Sequence, residues 1–122
     1  MMNSRKIGDK GEKFTLKYLK KNKYKIIVKN YETYYGEIDI IAKKDEYICF
    51  IEVKTRKNTS FFRPLAAINR HKKDCIIKSA YSFLKRNDFE DFMPRFDIAE
   101  VIYDENDKYS INYIENAFDL NG

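Results

Sequence analysis

The segment Gly36–Arg56, GEIDIIAKKDEYICFIEVKTR, decides the fold. It reads as two strands, Gly36–Ala42 and Tyr47–Thr55, rich in β-branched and aromatic residues and joined by a polar turn, Lys43–Glu46. So short a turn makes the pair an antiparallel hairpin. In the second strand Ile48, Phe50, Glu52 and Lys54 point one way, and Tyr47, Cys49, Ile51 and Val53 the other. Both faces begin apolar, so this strand is expected at the centre of a sheet covered on both sides.

The flanking sequence supplies the covers. Residues 4–22 form an amphipathic pattern in which Ser4 can cap a helix. Ile7, Gly11, Phe14, Thr15, Tyr18 and Leu19 share one face, and Lys6, Lys10, Lys13, Lys17 and Lys20 the opposite one. Residues 24–31 read as a strand. A second helix is expected from Pro64 to about Arg86, with Ile68, Cys75, Ile76, Ala80, Phe83 and Leu84 as its buried stripe and Asn87-Asp88 as its end. Residues 95–103 and 109–115 read as two last strands around the turn Asp104–Lys108. The order α-β-β-β-α-β-β predicts an α/β fold, a mixed central sheet flanked by helices. Without repeats, low-complexity tracts or Pro/Gly linkers, residues 1–122 are read as one domain.

Composition narrows the function. The hydrophobic fraction of 43% can build a core, and no stretch approaches the ~18 apolar residues of a membrane span. The N-terminus lacks the apolar centre of a signal peptide, so a cytoplasmic protein with no membrane partner is expected. Two cysteines and one histidine exclude disulfide scaffolds, zinc fingers and His-dependent triads. The net charge of +5 is unevenly spread: residues 1–30 carry +8, 31–53 carry −4, 54–86 carry +9 and 87–122 carry −8. Such segregation suits either a face for a polyanion, nucleic acid above all, or basic helices that merely face solvent.

Chemistry concentrates in the hairpin. Glu52 and Lys54 project from one face, and an antiparallel partner can bring Asp39 beside Glu52. Two carboxylates ~4 Å apart repel by about 4 kcal/mol at an effective dielectric of 20. Either one is protonated or a cation lies between them. Two or three carboxylates with a backbone carbonyl and water suit Mg²⁺. Lys54 could then orient or deprotonate a water and stabilise charge on a phosphate. The alternative for Glu52-Val53-Lys54 alone is a surface ion pair contributing ~0–1 kcal/mol.

An acid, about a dozen residues, then E-x-K on a hairpin resembles the PD-(D/E)XK core of restriction-endonuclease-like nucleases. The chain more narrowly resembles the YraN-like family of bacterial proteins within that superfamily. Matching residues include Gly11-Glu12, Asn30, GEIDIIA at 36–42, FIEVKTR at 50–56, Pro64, Ala67-Ile68-Asn69, Lys72, Arg95-Phe96-Asp97 and Asn116-Ala117-Phe118. Thr15 and Phe62 depart from that pattern, standing where alanine and glycine are usual. The resemblance implies a restriction-endonuclease-like fold and a nuclease site related to Holliday-junction resolvases. It further implies DNA as substrate, Mg²⁺ or Mn²⁺ as cofactor and, as for many nucleases of this fold, a homodimer. Asp39 and Glu52 would hold the metal, Glu12 would assist, and Lys54 would position the attacking water.

Other residues carry two readings each. Glu12, at the edge of the first helix's apolar face, either completes a metal shell or pairs with a neighbouring lysine. Glu37 either accepts a hydrogen bond behind the metal or fixes the loop at Gly36. Lys72 either positions a phosphate or is solvated; Arg56, Arg70 and Lys73 are further candidates for nucleic-acid contact. Asp97 is expected to pair with Arg56 or Arg95 and hold the sheet, and His71 to be exposed. Tyr31, Tyr34 and Tyr35 either stack on unpaired bases or pack half-buried. The rival to a nuclease is a non-catalytic nucleic-acid-binding module of the same fold.

Overall fold

The hairpin forms the middle of a mixed sheet, as its doubly apolar second strand requires. The computed structural model describes residues 4–58 and 68–119. Their elements are α1 (Ser4–Lys21), β1 (Lys25–Thr33), β2 (Gly36–Lys44), β3 (Tyr47–Lys57), α2 (Arg70–Arg86), β4 (Met93–Tyr103) and β5 (Tyr109–Phe118). This is the order expected from the sequence. The strands form one sheet in the order β1-β2-β3-β4-β5. Neighbours are antiparallel except β3 and β4, which run parallel with α2 in the connection between them.

Alternation along β3 sorts the core into two layers. Cys49 and Ile51 meet Leu19 of α1 together with Ile40, Ala42 and Ala99. Ile48 and Phe50 meet Ile76, Ile77, Ala80 and Phe83 of α2 together with Ile41, Phe96 and Ile98. Each large apolar side chain so buried contributes ~1.5–3 kcal/mol before entropy. Ile77 and Ser79 of α2 are buried where the helical pattern did not place them, while Cys75 and Leu84 are only half-buried.

β1, β3, β4 and β5 each run two or three residues past an expected end, and two further boundaries differ in ways that bear on the site. The hairpin turn narrows to Asp45-Glu46, because Lys43 and Lys44 pair with Ile48 and Tyr47. Asp45 has φ 53°, a left-handed conformation that Asp tolerates. The second correction is at α2, which begins at Arg70 and not at Pro64. Asn69 stops its N-terminal extension: its backbone is extended, and its side chain accepts a hydrogen bond from Lys72 N–H at 2.8 Å. Pro64, Phe62 and Ala67 lie outside the described residues. Among the described residues no helix is long and apolar enough to cross a membrane.

Candidate functional site

The site grows out of a place where the sheet opens. β2 and β3 pair from Lys44↔Tyr47 as far as Ile40↔Ile51. One residue further, the Asp39 side chain replaces the ladder: Val53 N–H donates to its Oδ2 at 2.8 Å. Asp39 is thereby fixed against β3 at Val53, the residue that follows buried Glu52. The expected neighbourhood of the two carboxylates is present, but a backbone amide joins the strands there.

Both carboxyls are held above their ordinary range. Burial raises the Asp39 carboxyl above its usual range, and the Val53 hydrogen bond and the charges of Lys72 and Lys54 only partly oppose it. Burial also raises Glu52, and the negative charge of Asp39 raises it further against the pull of the same two lysines. Lys72 Nζ lies 3.4 Å and Lys54 Nζ 3.8 Å from Glu52 Oε1. Lys54 reaches Glu52 because the two are neighbours on one strand face. Lys72 reaches it from the first turn of α2, whose start the Asn69 cap sets.

The other wall comes from α1. Gly11 lies so close to β3 that a Cβ there would overlap Thr55 Oγ1. Thr15, wholly buried, donates from Oγ1 to Gly11 O at 2.8 Å, so the departure from alanine at this position carries a satisfied hydroxyl. This close seating holds half-buried Glu12 over the open end of the sheet. Burial and the charge of Asp39 raise the Glu12 carboxyl, a hydrogen bond with the Asn30 side chain opposes them, and Glu37 and Asp9 add to the rise. Glu37 is raised by burial, then by Asp39 and Glu32. Glu12, Asn30, Glu37, Asp39, Val53 and Thr55 line one cavity of about 470 Å³.

Residues 11–101 match the family described as "Uncharacterised protein family UPF0102". The chain belongs to the UPF0102 family. It is similar to the UPF0102 protein of Clostridium acetobutylicum, 41% identical over 118 residues that cover 96% of this chain and 97% of that one. It is equally similar to the UPF0102 protein of Caldanaerobacter subterraneus subsp. tengcongensis, 41% identical over 120 residues covering 96% and 98%. The UPF0102 protein of Alkaliphilus metalliredigens is 42% identical over 115 residues, covering 94% and 99%. The UPF0102 match encloses Glu12, Asp39, Glu52, Lys54 and Lys72.

The fold thus gathers Asp39, Glu52, Lys54 and Lys72, and sets Glu12 and Glu37 on the Asp39 cavity. Three other expected nucleic-acid contacts have other surroundings. Arg56 is half-buried with Nη2 3.7 Å from Oε1 of buried Glu100. Arg70 is exposed at the start of α2, and Lys73 Nζ stands 5.9 Å from the centre of the Phe118 ring. Asp97 pairs with Arg95 as one reading held, and His71 is exposed. Tyr31 packs edge-on against Phe83, whereas Tyr34 and Tyr35 are exposed and depart from the half-buried reading. Sequence reasoning gave no role to Asn30, Thr55 or Asn69. A cap residue immediately before a basic helical run was the one legible signal among them.

The donor set suits a hard divalent cation. Mg²⁺ is commonly held through one or two carboxylates, with water and substrate phosphate completing its shell. Asp39 and Glu52 offer two such groups, each with a raised proton affinity that a second positive charge would relieve. Among the described residues no three His, Cys, Asp or Glu side chains converge into a ready-made metal cluster. The fit is that of a two-carboxylate centre; Glu12 lines the cavity together with Asp39, whereas Glu52, Lys54 and Lys72 are not among the lining residues of that cavity.

Proposed function

We propose that this UPF0102 protein is a nuclease that hydrolyses phosphodiester bonds in DNA with Mg²⁺ or Mn²⁺. The observation that carries the reading is the pairing of two under-compensated carboxylates, Asp39 and Glu52, with two lysines within 3.8 Å of Glu52. A structural ion pair needs one acid and one base. A second carboxylate whose charge raises the first destabilises the empty site and serves a cation-binding one.

Asp39 and Glu52 would hold the cation, which when bound supplies charge neutralisation at the scissile phosphate and acidifies a water. Lys54 orients that water and stabilises charge on the phosphate oxygens. Lys72, 3.4 Å from the same Glu52 oxygen, positions the adjacent phosphate and favours the charged form of Glu52. Glu12, with a raised carboxyl on the cavity wall, accepts a proton or a water hydrogen bond there. The exposed lysine face of α1 (Lys6, Lys10, Lys13, Lys17 and Lys20) supplies longer-range attraction for the polyanion.

Lys54→Ala tests the reading. Single-turnover cleavage of duplex and branched DNA in Mg²⁺ should fall by roughly 10²–10⁴-fold. Affinity in Ca²⁺ should change little, with the salt slope lowered by at most about 1. Wild-type protein that binds these DNAs yet cuts none of them with Mg²⁺ or Mn²⁺ would favour the binding module instead.

A further inference from the structure

A second surface lies beyond the carboxylate cavity, where the β1–β2 turn meets the outer side of α2. Tyr34 in that turn is 97% exposed, and Tyr35 and Tyr81 are each 45% exposed. Single exposed aromatics are ordinary; three together are not. They line two adjoining grooves, of about 590 and 490 Å³, with Lys78, Lys85 and Arg86. Lys78, Tyr81 and Lys85 recur every three or four residues, so α2 presents them as one stripe. Lys78 Nζ stands 5.6 Å from the centre of the Tyr35 ring. Glu32 is the one carboxylate among the described residues lining either groove.

The tyrosines are held by a braced turn. Thr33 Oγ1 lies 2.7 Å from Oγ of Ser79, a buried residue of α2. The same Thr33 oxygen donates to Gly36 O at 3.0 Å and accepts from Tyr35 N–H at 3.0 Å. The buried polar Ser79, unexpected on an apolar stripe, therefore anchors the turn to the helix. Rings presented at fixed positions lose little freedom when a flat partner stacks on them.

We propose that this surface binds an unpaired DNA strand, its bases stacked on Tyr34, Tyr35 and Tyr81 and its phosphates drawn by Lys78, Lys85 and Arg86. Aromatic rings interleaved with cations form the usual platform for single strands, because every base offers a π-face and every linkage a charge. A duplex keeps its bases stacked inside and has no use for the rings. Tyr35 precedes Asp39 by four residues on the chain, about 13 Å along a strand at ~3.3 Å per residue. That is roughly four nucleotides at a 3.4 Å stacked rise. The inference rests on the nuclease reading and sharpens its substrate class to DNA with an unpaired arm next to the cut.

The test is binding in EDTA, where cleavage plays no part, of a labelled dT20 strand, a 20-base-pair duplex and a fork with a dT20 arm. Tyr34→Ala/Tyr35→Ala and Tyr81→Ala should each weaken dT20 and fork binding by about 5- to 150-fold, the loss of one stacked base or more. Duplex affinity should stay within about twofold, and the matching Tyr→Phe variants should bind like wild type. Equal loss for strand and duplex, or no loss for the strand, would overturn the proposal. So would polyglutamate that displaces dT20 as well as unlabelled dT20 does, or an rU20 strand that binds more tightly. Wild-type cleavage of the same fork in Mg²⁺ reports on the nuclease reading separately. A protein that binds through the tyrosines but cuts nothing keeps this surface and loses the enzyme.

Discussion

Glu52–Lys54 on β3 and Arg95–Asp97 on β4 are built alike: an acid and a base two residues apart on neighbouring parallel strands. Their environments differ in one respect, the supply of donors. Asp97, fully buried, accepts from Arg95 Nε at 2.9 Å and Nη2 at 2.8 Å, from Tyr113 OH at 2.6 Å and from Asn116 N–H at 2.9 Å. Arg95 Nη2 also donates to Tyr24 OH at 2.6 Å. Burial works against the Arg95 charge, yet the hydrogen bonds and charge of Asp97 hold its proton more firmly than usual. Glu52 has two lysines at 3.4 and 3.8 Å and a second carboxylate pressing on it. One cluster is closed; the other keeps both its carboxyls above their usual range. A ligand site differs from a structural pair in its missing partners.

The aspartates also share a device. Each accepts a backbone N–H where its strand pairing breaks: Asp97 from Asn116, opposite the register shift between Phe96 and Ile98, and Asp39 from Val53, beyond the last β2–β3 rung. The closed cluster should therefore be the fragile one. Asp97→Asn leaves a buried guanidinium without its counter-charge and should destabilise the fold by about 3–5 kcal/mol in urea unfolding, with or without Mg²⁺. A loss below ~1 kcal/mol would erase the contrast.

The open cluster should respond with the opposite sign. Asp39→Asn or Glu52→Gln removes one of two carboxylates that raise each other's cost, so the metal-free protein should gain on the order of 1 kcal/mol. The gain should depend on pH. Because the native carboxyls are raised, the folded state binds more protons than the unfolded one through this window. Wild-type stability contributed by these groups therefore falls as pH rises from the ordinary carboxylate range through the raised values. The advantage of either variant should be largest near pH 7 and shrink on acidification; a gain that is the same at pH 4 and pH 7 would contradict the assignment.

Much of this was legible in the sequence. The unbroken apolar run Tyr47–Ile51, covering both strand faces, put β3 at the centre, and E-x-K placed Glu52 and Lys54 on one face, because strand geometry leaves no other choice. Lys72 and Glu12 were singled out, and the fold brings both to the site. Three things were hidden. The start of α2 was expected at Pro64, but Asn69 sets it because its side chain accepts from the Lys72 amide. The Asp39–Val53 bond arises from a local opening of the sheet that periodicity cannot register. The closure around Asp97 draws on Tyr24, Tyr113 and Asn116, residues 16 to 73 positions away, which only tertiary packing brings together.

The central claim is that Asp39 and Glu52 are held together for a divalent cation. Titration of the protein with MgCl₂ and MnCl₂, followed by its unfolding temperature and by calorimetry, tests this without requiring a substrate. The wild type should show a saturable rise in unfolding temperature, growing with metal concentration as binding to the folded state alone dictates. Asp39→Asn and Glu52→Gln should abolish that rise while remaining folded, and Lys54→Ala should keep it. A variant lacking either carboxylate that still shifts upward like the wild type would contradict the account.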